Sequence, residues 1–157
     1  MKDDSKKQLE AINQQIKDVV GLYRNAVSRL GMSENELWIW YSLIIMDGEY
    51  SQQDICGMWS LSKQTVNTII SNMVRKGFAS LEVIPGTRNR KEIRLSKAGK
   101  DYGESIVRPL FEVEQRAIEK LSVEERMACT AAFSKYIGFL REEMCGYEDK
   151  NRQKEIV

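Results

Sequence analysis

The sequence predicts a mainly α-helical protein with one small β-hairpin, and therefore an α+β fold. Two patterns predict this class. Along most of the 157 residues, apolar side chains recur at intervals of three and four, which is the spacing of amphipathic helices. One short central stretch instead alternates apolar and polar side chains on either side of a turn, which is typical of a hairpin. The helices predicted at the two ends are long, and the central elements are short.

The first predicted element is a long amphipathic helix over residues 6–30, which Gly31 ends. Its apolar stripe has no partner nearby in the sequence, so the rest of the fold or a second subunit must cover it. The stripe consists of Leu9, Ile12, Ile16, Val19, Tyr23, Val27 and Leu30.

A second helix is predicted over residues 35–46, with Ser33 and Glu36 as its capping box. Apolar residues occur around nearly its whole circumference, so we expect it to be buried on nearly all sides. Asp47 and Gly48 are expected to form the turn that follows.

Three aromatic residues of this second helix allow two interpretations. Trp38, Trp40 and Tyr41 belong either to the hydrophobic core or to a pocket for a small aromatic ligand. Aromatic clusters on buried helices are more often part of the core, so the pocket is the secondary hypothesis.

The next two predicted helices form a helix-turn-helix. Ser51, three residues before Asp54, caps a short helix that runs to about Met58. After a turn at residues 59–61 comes a longer helix, which Gly77 ends. In such a motif the first helix braces the DNA backbone and the second enters the major groove.

The second helix of this pair has an unusual polar face. Its apolar stripe, which we expect to be buried, is Val66, Ile69, Ile70, Met73 and Val74. A solvated helix face normally carries Glu, Lys and Arg, whereas this one carries mostly short neutral side chains. Gln and Asn pair with adenine edges, Arg pairs with guanine, and a Thr methyl contacts thymine. The face therefore suits a DNA major groove, although a merely polar surface helix remains the alternative. The face and its flanks are Gln64, Thr68, Ser71, Arg75, Thr65, Asn67 and Asn72.

The predicted hairpin has strands at residues 78–84 and 91–95 and a basic tip at residues 85–90. A small basic hairpin directly after a helix-turn-helix is a wing, so the predicted architecture is a winged helix-turn-helix. An arginine at such a tip can enter a narrow minor groove while neighbouring cations hold phosphates. The cations concerned are Arg88, Arg90 and Lys91.

Two further helices complete the prediction. Ser96 caps a helix that runs to about Lys120 and should kink at Pro109, and Ser122 with Glu125 forms the capping box of the last helix. We expect residues 33–107 to form the DNA-binding domain, residues 1–32 and 108–146 to form dimerisation helices, and residues 147–157 to form a polar tail.

Charge supports a nucleic-acid partner although the net charge is only +1. Residues 51–100 carry nine Lys and Arg against three Asp and Glu, a local charge of +6. The other residues carry 15 against 20, a charge of −5. Such clustering of positive charge is the electrostatic footprint of a phosphate-binding surface.

Composition argues against several other classes of protein. The chain has no histidine, and its three cysteines, Cys56, Cys129 and Cys145, are odd in number and widely spaced. These facts disfavour a disulfide framework, a conventional zinc site and the usual catalytic pairs, so we expect no enzyme, metal or cofactor. No long apolar run or basic-then-apolar leader occurs, so we expect no membrane span and a cytoplasmic location.

The sequence resembles the MarR family of bacterial transcriptional regulators over about residues 6–144. The resemblance rests on LSKQTVNTIISNMVRKGF at residues 61–78 and on the wing GTRNRKEIRLSKAGK at residues 86–100. The family wing usually reads Asp-x-Arg-Asp-x-Arg. Here Gly86 and Asn89 stand at the two aspartates and Lys91 at the last arginine, so we expect a more mobile wing tip.

The resemblance implies a homodimeric factor that binds double-stranded DNA at a palindromic operator. It also implies repression relieved by a small phenolic or lipophilic ligand, or a response to oxidants. It matches Lys63, Gln64, Thr65 and Asn67 to major-groove or phosphate contacts, and Arg88 to the arginine that enters the minor groove. The full set of predicted DNA-contacting residues is Ser62, Lys63, Gln64, Thr65, Asn67, Thr68, Ser71, Arg75, Arg88, Arg90 and Lys91.

Three other functions remain open. The winged fold could instead be a protein-interaction module whose basic face binds an acidic partner. Cys56, in the short helix before the predicted recognition helix, could make the protein a redox-responsive regulator or act as the nucleophile of an enzyme. Without a histidine, Cys56 is more simply explained as a small packed side chain.

Overall fold

The computed structural model describes residues 2–46 and 48–154. This part of the chain contains six helices and one antiparallel hairpin, which confirms the predicted fold class. In chain order the elements are α1 (Lys2–Leu30), α2 (Glu34–Ile44), α3 (Gln52–Trp59), α4 (Lys63–Arg75), β1 (Ala79–Val83), β2 (Lys91–Leu95), α5 (Lys97–Ile118) and α6 (Val123–Lys154).

The chain divides into two compact units, one up to Phe111 and the other from Glu112 onward. The boundary lies within α5, shortly after Pro109. The first unit contains α1 together with the helix-turn-helix and the wing, and the second contains the end of α5 and all of α6. The assignment of residues 1–32 and 108–146 to dimerisation remains a prediction.

Local capping chemistry sets most of the helix boundaries. Ser51 and Asp54 form a complete capping box at the start of α3. Ser122 and Glu125 do the same before α6, with Ser122 N–H donating to Glu125 Oε2 at 2.8 Å and Glu125 N–H donating to Ser122 Oγ at 3.1 Å. Gly31 follows α1 with a φ of 68°, a left-handed conformation that glycine adopts without strain.

Some boundaries differ from the prediction. The first helix already begins at Lys2, and α2 ends at Ile44 rather than at residue 46. The last helix continues to Lys154, so most of the segment predicted as a polar tail is helical. Asp47, one half of the predicted turn with Gly48, lies outside the described residues.

The core of the first unit lies where α2, α3, α4, the hairpin and α5 meet. Trp40 lies at its centre with 0% of its surface exposed. Its ring packs edge-on against Phe78 and Tyr102, which stack on each other with ring centroids 4.7 Å apart. The fully or largely buried apolar residues of this core are Ile39, Trp40, Ile55, Val66, Ile70, Met73, Ala79, Ile93 and Val107.

A buried hydroxyl joins α2 to α3. Ser42 Oγ donates to the carbonyl oxygen of Trp38 at 3.0 Å and accepts a hydrogen bond from Trp59 Nε1 at 2.7 Å. Both polar groups are therefore satisfied away from water, and the first helix of the helix-turn-helix is fixed against the core.

No helix in the described part of the chain combines the length and the apolar character that spanning a bilayer requires.

Candidate nucleic-acid interface

The helix α4 is fixed at both ends by its own sequence. Ser62 is the N-cap, and its Oγ accepts from Thr65 N–H at 3.1 Å. At the other end Gly77 adopts a φ of 75°, its N–H donates to Val74 O, and Phe78 N–H donates to Met73 O. These two bonds form a Schellman motif, which stops the helix where the sequence predicted its end.

One side of α4 is buried and the opposite side is open. Val66, Ile70 and Met73 pack into the core. Ile69 is half-buried, but Val74 is 40% exposed, so the predicted buried stripe is narrower than expected. The residues predicted to contact DNA share the open side: Ser62, Lys63, Gln64, Asn67, Thr68, Ser71 and Arg75 are exposed, and Thr65 is half-buried.

Several polar groups on the open side are bound to the helix itself. Thr68 Oγ1 donates to the Gln64 carbonyl at 2.9 Å, and the hydroxyls of Ser62 and Thr65 lie 2.8 Å apart. Arg75 Nη2 donates to Asn72 Oδ1 at 2.8 Å. By contrast, the side chains of Gln64, Asn67 and Ser71 have no hydrogen-bond partner among the described residues, so they are available to base edges.

The wing is a regular hairpin closed by a defined loop. Its strands pair from Ala79 opposite Leu95 to Val83 opposite Lys91. Beyond the last pair, Ile84 N–H donates to Arg90 O at 2.9 Å, and Thr87 Oγ1 donates to Ile84 O at 2.8 Å. The tip therefore presents the exposed Arg88 from a loop that is closed at Arg90.

Two contacts tie the wing to the start of α3. Ile93 N–H of β2 donates to the Tyr50 carbonyl at 2.9 Å, just before the helix begins. Arg90 Nη2 donates to Asp54 Oδ2 at 2.6 Å. Sequence reasoning missed this ion pair because its partners lie far apart in the chain and no local pattern connects them.

A second charge cluster surrounds Arg94 on the strands of the wing. Arg94 lies 3.0 Å from Glu92, 3.3 Å from Glu49 and 3.8 Å from Glu82. Glu92 is only 5% exposed and needs this partner, because an unpaired buried carboxylate is costly. Arg94 therefore has a structural role.

Solved structures of 16–21% sequence identity share this arrangement of elements. A MarR family regulator from Neisseria meningitidis, NMB1585, superposes with a TM-score of 0.75 at 18% identity, over 87% of this chain and 96% of that chain. The DNA complex of Staphylococcus aureus MepR gives a TM-score of 0.66 at 21% identity, over 81% and 94%. Bordetella bronchiseptica BpsR, whose DNA binding is regulated by 6-hydroxynicotinic acid, gives 0.59 at 16% identity, over 81% and 90%.

The chain has the fold of MarR family regulators. No protein-family profile matches the sequence, and no curated protein is similar to it at the sequence level.

In this MarR-type fold, two open clefts lie beside α3, one between α3 and the wing and the other between α3 and α4. One, of about 450 Å³, is lined by Ser51, Gln52, Gln53, Leu81, Arg88, Asn89, Arg90 and Lys91. The other, of about 370 Å³, is lined by Gln52, Gln53, Cys56, Lys63 and Asn67. Their amide and cationic linings suit a polyanion rather than an apolar ligand.

The predicted aromatic pocket is only partly supported by the positions of its residues. Trp40 is enclosed in the core, so the structure assigns it to packing rather than to a pocket. Trp38 and Tyr41 are half-buried. Trp38 stacks on Trp59 with ring centroids 4.8 Å apart and contacts Tyr23 at 4.9 Å, so other aromatic rings already pack against it.

The cysteines occupy different environments. Cys56 is half-buried in α3, whereas Cys129 and Cys145 are exposed on α6. Within the described residues, no group of three or more His, Cys, Asp or Glu could hold a metal ion. A redox role of Cys56 remains a prediction.

Asp54 has a pKa below the ordinary value of a carboxyl group. The main cause is the hydrogen bond from the Ser51 backbone; burial, the second-largest effect, raises the pKa, and the Ser51 hydroxyl and the Arg90 guanidinium lower it again. The carboxylate is therefore ionised, and the Arg90 ion pair intact, throughout the neutral range.

We expect this ionisation to appear in the pH dependence of stability. Because the pKa of Asp54 is lower in the folded state, its contribution is fully present above the unfolded value of about 4 and is lost as the pH falls through the folded value. Wild type should therefore have a higher urea midpoint than Asp54→Asn at neutral pH, and the difference should shrink in acid. A difference that stays constant down to about pH 3 would contradict this assignment.

Proposed function

We propose that this protein is a sequence-specific, DNA-binding transcriptional regulator that acts as a homodimer on a palindromic operator. The observation that carries the proposal is the open face of α4. It presents neutral hydrogen-bonding side chains where helix propensity alone would favour charged residues, and a basic wing follows it in the chain. MepR, which has the same fold, is known in complex with DNA.

The proposed interface makes two kinds of contact with DNA, one to base edges in the major groove and one to the backbone and the minor groove. Gln64, Asn67 and Ser71 read base edges in the major groove, because their side chains are exposed and have no partner within the described residues. Other polar groups, all exposed except the half-buried Thr65, contact the phosphate backbone or line the groove, and Arg88 enters the minor groove from the wing tip. This second group is Ser62, Lys63, Thr65, Thr68, Arg75 and Lys91.

A second copy of the chain is the proposed cover for the apolar faces of the end helices. Both helices expose many large apolar side chains, such as Leu22 of α1, which is 70% exposed, and Met127 of α6, which is 66% exposed. Apolar patches of this kind often mark a protein–protein interface. A two-fold dimer would also place two recognition helices on successive turns of DNA. The exposed apolar residues are Leu9, Ile16, Val19, Val20, Leu22 and Leu30 on α1, and Val123, Met127, Phe133, Phe139, Leu140, Met144 and Tyr147 on α6.

Repression relieved by a small aromatic or lipophilic ligand is the regulatory part of the proposal. BpsR, a protein of the same fold, responds to 6-hydroxynicotinic acid. In the present chain, Trp38 and Tyr41 are the two half-buried residues of the predicted aromatic pocket. A ligand there would have to displace existing ring contacts, and it would therefore move α2 against α1.

Selection of bound duplexes from a random pool tests recognition and symmetry together. We expect enrichment of two inverted half-sites with centres about 34 Å apart, one turn of DNA. Affinity for the selected duplex should fall steeply as salt rises, because phosphate contacts release counterions. A pool without enrichment would refute sequence-specific binding, and a single half-site would refute the dimer. Equal binding to heparin and to all duplexes would favour the protein-interaction module.

A further inference from the structure

Arg90 is the predicted DNA contact whose surroundings differ most from expectation. Its guanidinium Nη2 lies 2.6 Å from Asp54 Oδ2, and the two side chains are 53% and 33% exposed. The same carboxylate oxygen accepts the Ser51 N–H and the Ser51 hydroxyl, each at 2.7 Å. The capping box of α3 thus fixes the acceptor, and Arg90 binds to a carboxylate that is already oriented.

The backbone of Arg90 is held as well. Its carbonyl accepts the Ile84 N–H at 2.9 Å, the bond that closes the loop of the wing. A single residue therefore joins the closing point of the loop to the first turn of α3. Arg88, which the loop presents, depends on that junction for its position.

We propose that Arg90 positions the wing instead of contacting DNA, because through Asp54 it holds the Arg88 loop against α3. This role rests on the proposed DNA-binding function.

Electrostatics favours the positioning role over a direct contact. If Arg90 turned toward a phosphate, it would leave the Asp54 carboxylate unpaired next to a polyanion, and repulsion would oppose the gain. Arg88 and Lys91 form no comparable ion pair, because no acidic side chain contacts them among the described residues. These two cations are therefore the ones left to engage the backbone and the minor groove.

A double-mutant cycle of Asp54→Asn and Arg90→Gln separates the two roles. Each substitution should weaken binding to the selected duplex about five- to tenfold, and the double variant should bind no worse than either single one, because both remove the same ion pair. If Arg90 contacts DNA directly, Asp54→Asn frees a cation and removes a negative charge, so binding should tighten. Unchanged or tighter binding by Asp54→Asn would overturn the proposal.

A second cycle tests whether the effect passes through the wing. Arg88→Ala should cost little in the Arg90→Gln background, because the loop is already displaced, whereas Gln64→Ala should have its full effect in both backgrounds. General destabilisation would not distinguish Arg88 from Gln64 in this way. Asp101→Asn is the matched control, because it breaks a 2.8 Å ion pair with Lys97 outside the wing and should leave affinity unchanged.

Hydrogen exchange of the free protein provides a test that needs no DNA. The Ile84 amide, which closes the wing loop, should exchange faster in Asp54→Asn and in Arg90→Gln than in wild type, and at the wild-type rate in Arg88→Ala. Unchanged exchange of the Ile84 amide in the first two variants would overturn the proposed positioning role of Arg90, even if the protein bound no DNA. Wild-type protein that shows no sequence preference would instead refute the proposed function.

Discussion

Gly99→Ala is expected to lower the free energy of unfolding by about 4 kcal/mol or more, and so to leave little folded protein. A Cβ at this position would lie 2.0 Å from the carbonyl oxygen of Phe78 and 2.8 Å from its carbonyl carbon. The neighbour is backbone, and Phe78 O also accepts the Ser96 N–H at 2.9 Å, so neither side can move without breaking the junction of α5 with the hairpin. Urea unfolding followed by tryptophan fluorescence measures the loss.

Gly57→Ala is the matched control for this prediction. Gly57 also lies within a helix of the winged module, but a Cβ there would meet no atom within 4 Å. Alanine favours helix over glycine, so this variant should be about 0.5–1 kcal/mol more stable than wild type. If the two variants were equally stable, close backbone contact at Gly99 could not be the cause.

The second large effect is expected at the DNA interface, where Gln64→Ala and Arg88→Ala should weaken binding in different ways. Loss of the Gln64 amide removes a base contact, so affinity for the selected sequence should fall by about 1–3 kcal/mol while affinity for unrelated duplexes hardly changes. Loss of the Arg88 guanidinium should weaken binding to many sequences. It should also reduce the slope of the logarithm of the binding constant against the logarithm of the salt concentration by about one. Titrations of selected and scrambled duplexes at several salt concentrations measure both effects.

Ser105→Ala, at an exposed serine of α5 outside both the predicted DNA interface and the predicted dimerisation helices, is the control for side-chain truncation. It should bind like wild type. If Gln64→Ala retained full sequence preference, or if Arg88→Ala left the salt slope unchanged, the proposed contacts would be wrong.

Sequence reasoning predicted those parts of the fold that short-range chemistry determines. The capping residues Ser51 and Ser122 and the left-handed glycines Gly31 and Gly77 act within one helical turn, so their patterns are visible in the sequence. The period of the apolar residues likewise gave the order of helices and strands. The polar face of α4 needed no tertiary information, because helical geometry alone places its residues together.

Side-chain contacts between elements that lie far apart in the chain could not be predicted from these local patterns. The contacts of Asp54 with Arg90, of Ser42 with Trp59 and of Arg94 with three glutamates join residues from different elements, and many other pairings of these residue types were possible. Burial was also misjudged at single positions. Val74 continues the apolar pattern but is exposed, because at about 100° per residue it lies at the edge of the face that Val66, Ile70 and Met73 bury.

The charge cluster around Arg94 gives the hairpin an electrical polarity along its length. Its tip carries Arg88 and Lys91, whereas three carboxylates, those of Glu82 and Glu92 on the strands and of Glu49 before α3, surround the Arg94 guanidinium. In the field of a polyanion, such a dipole experiences a torque that turns the tip toward the duplex before any contact forms. The torque acts over roughly a Debye length, about 10 Å at 0.1 M salt. If the wing binds DNA as proposed, the acidic cluster on its strands would repel phosphates, so contact with the duplex would be confined to the loop.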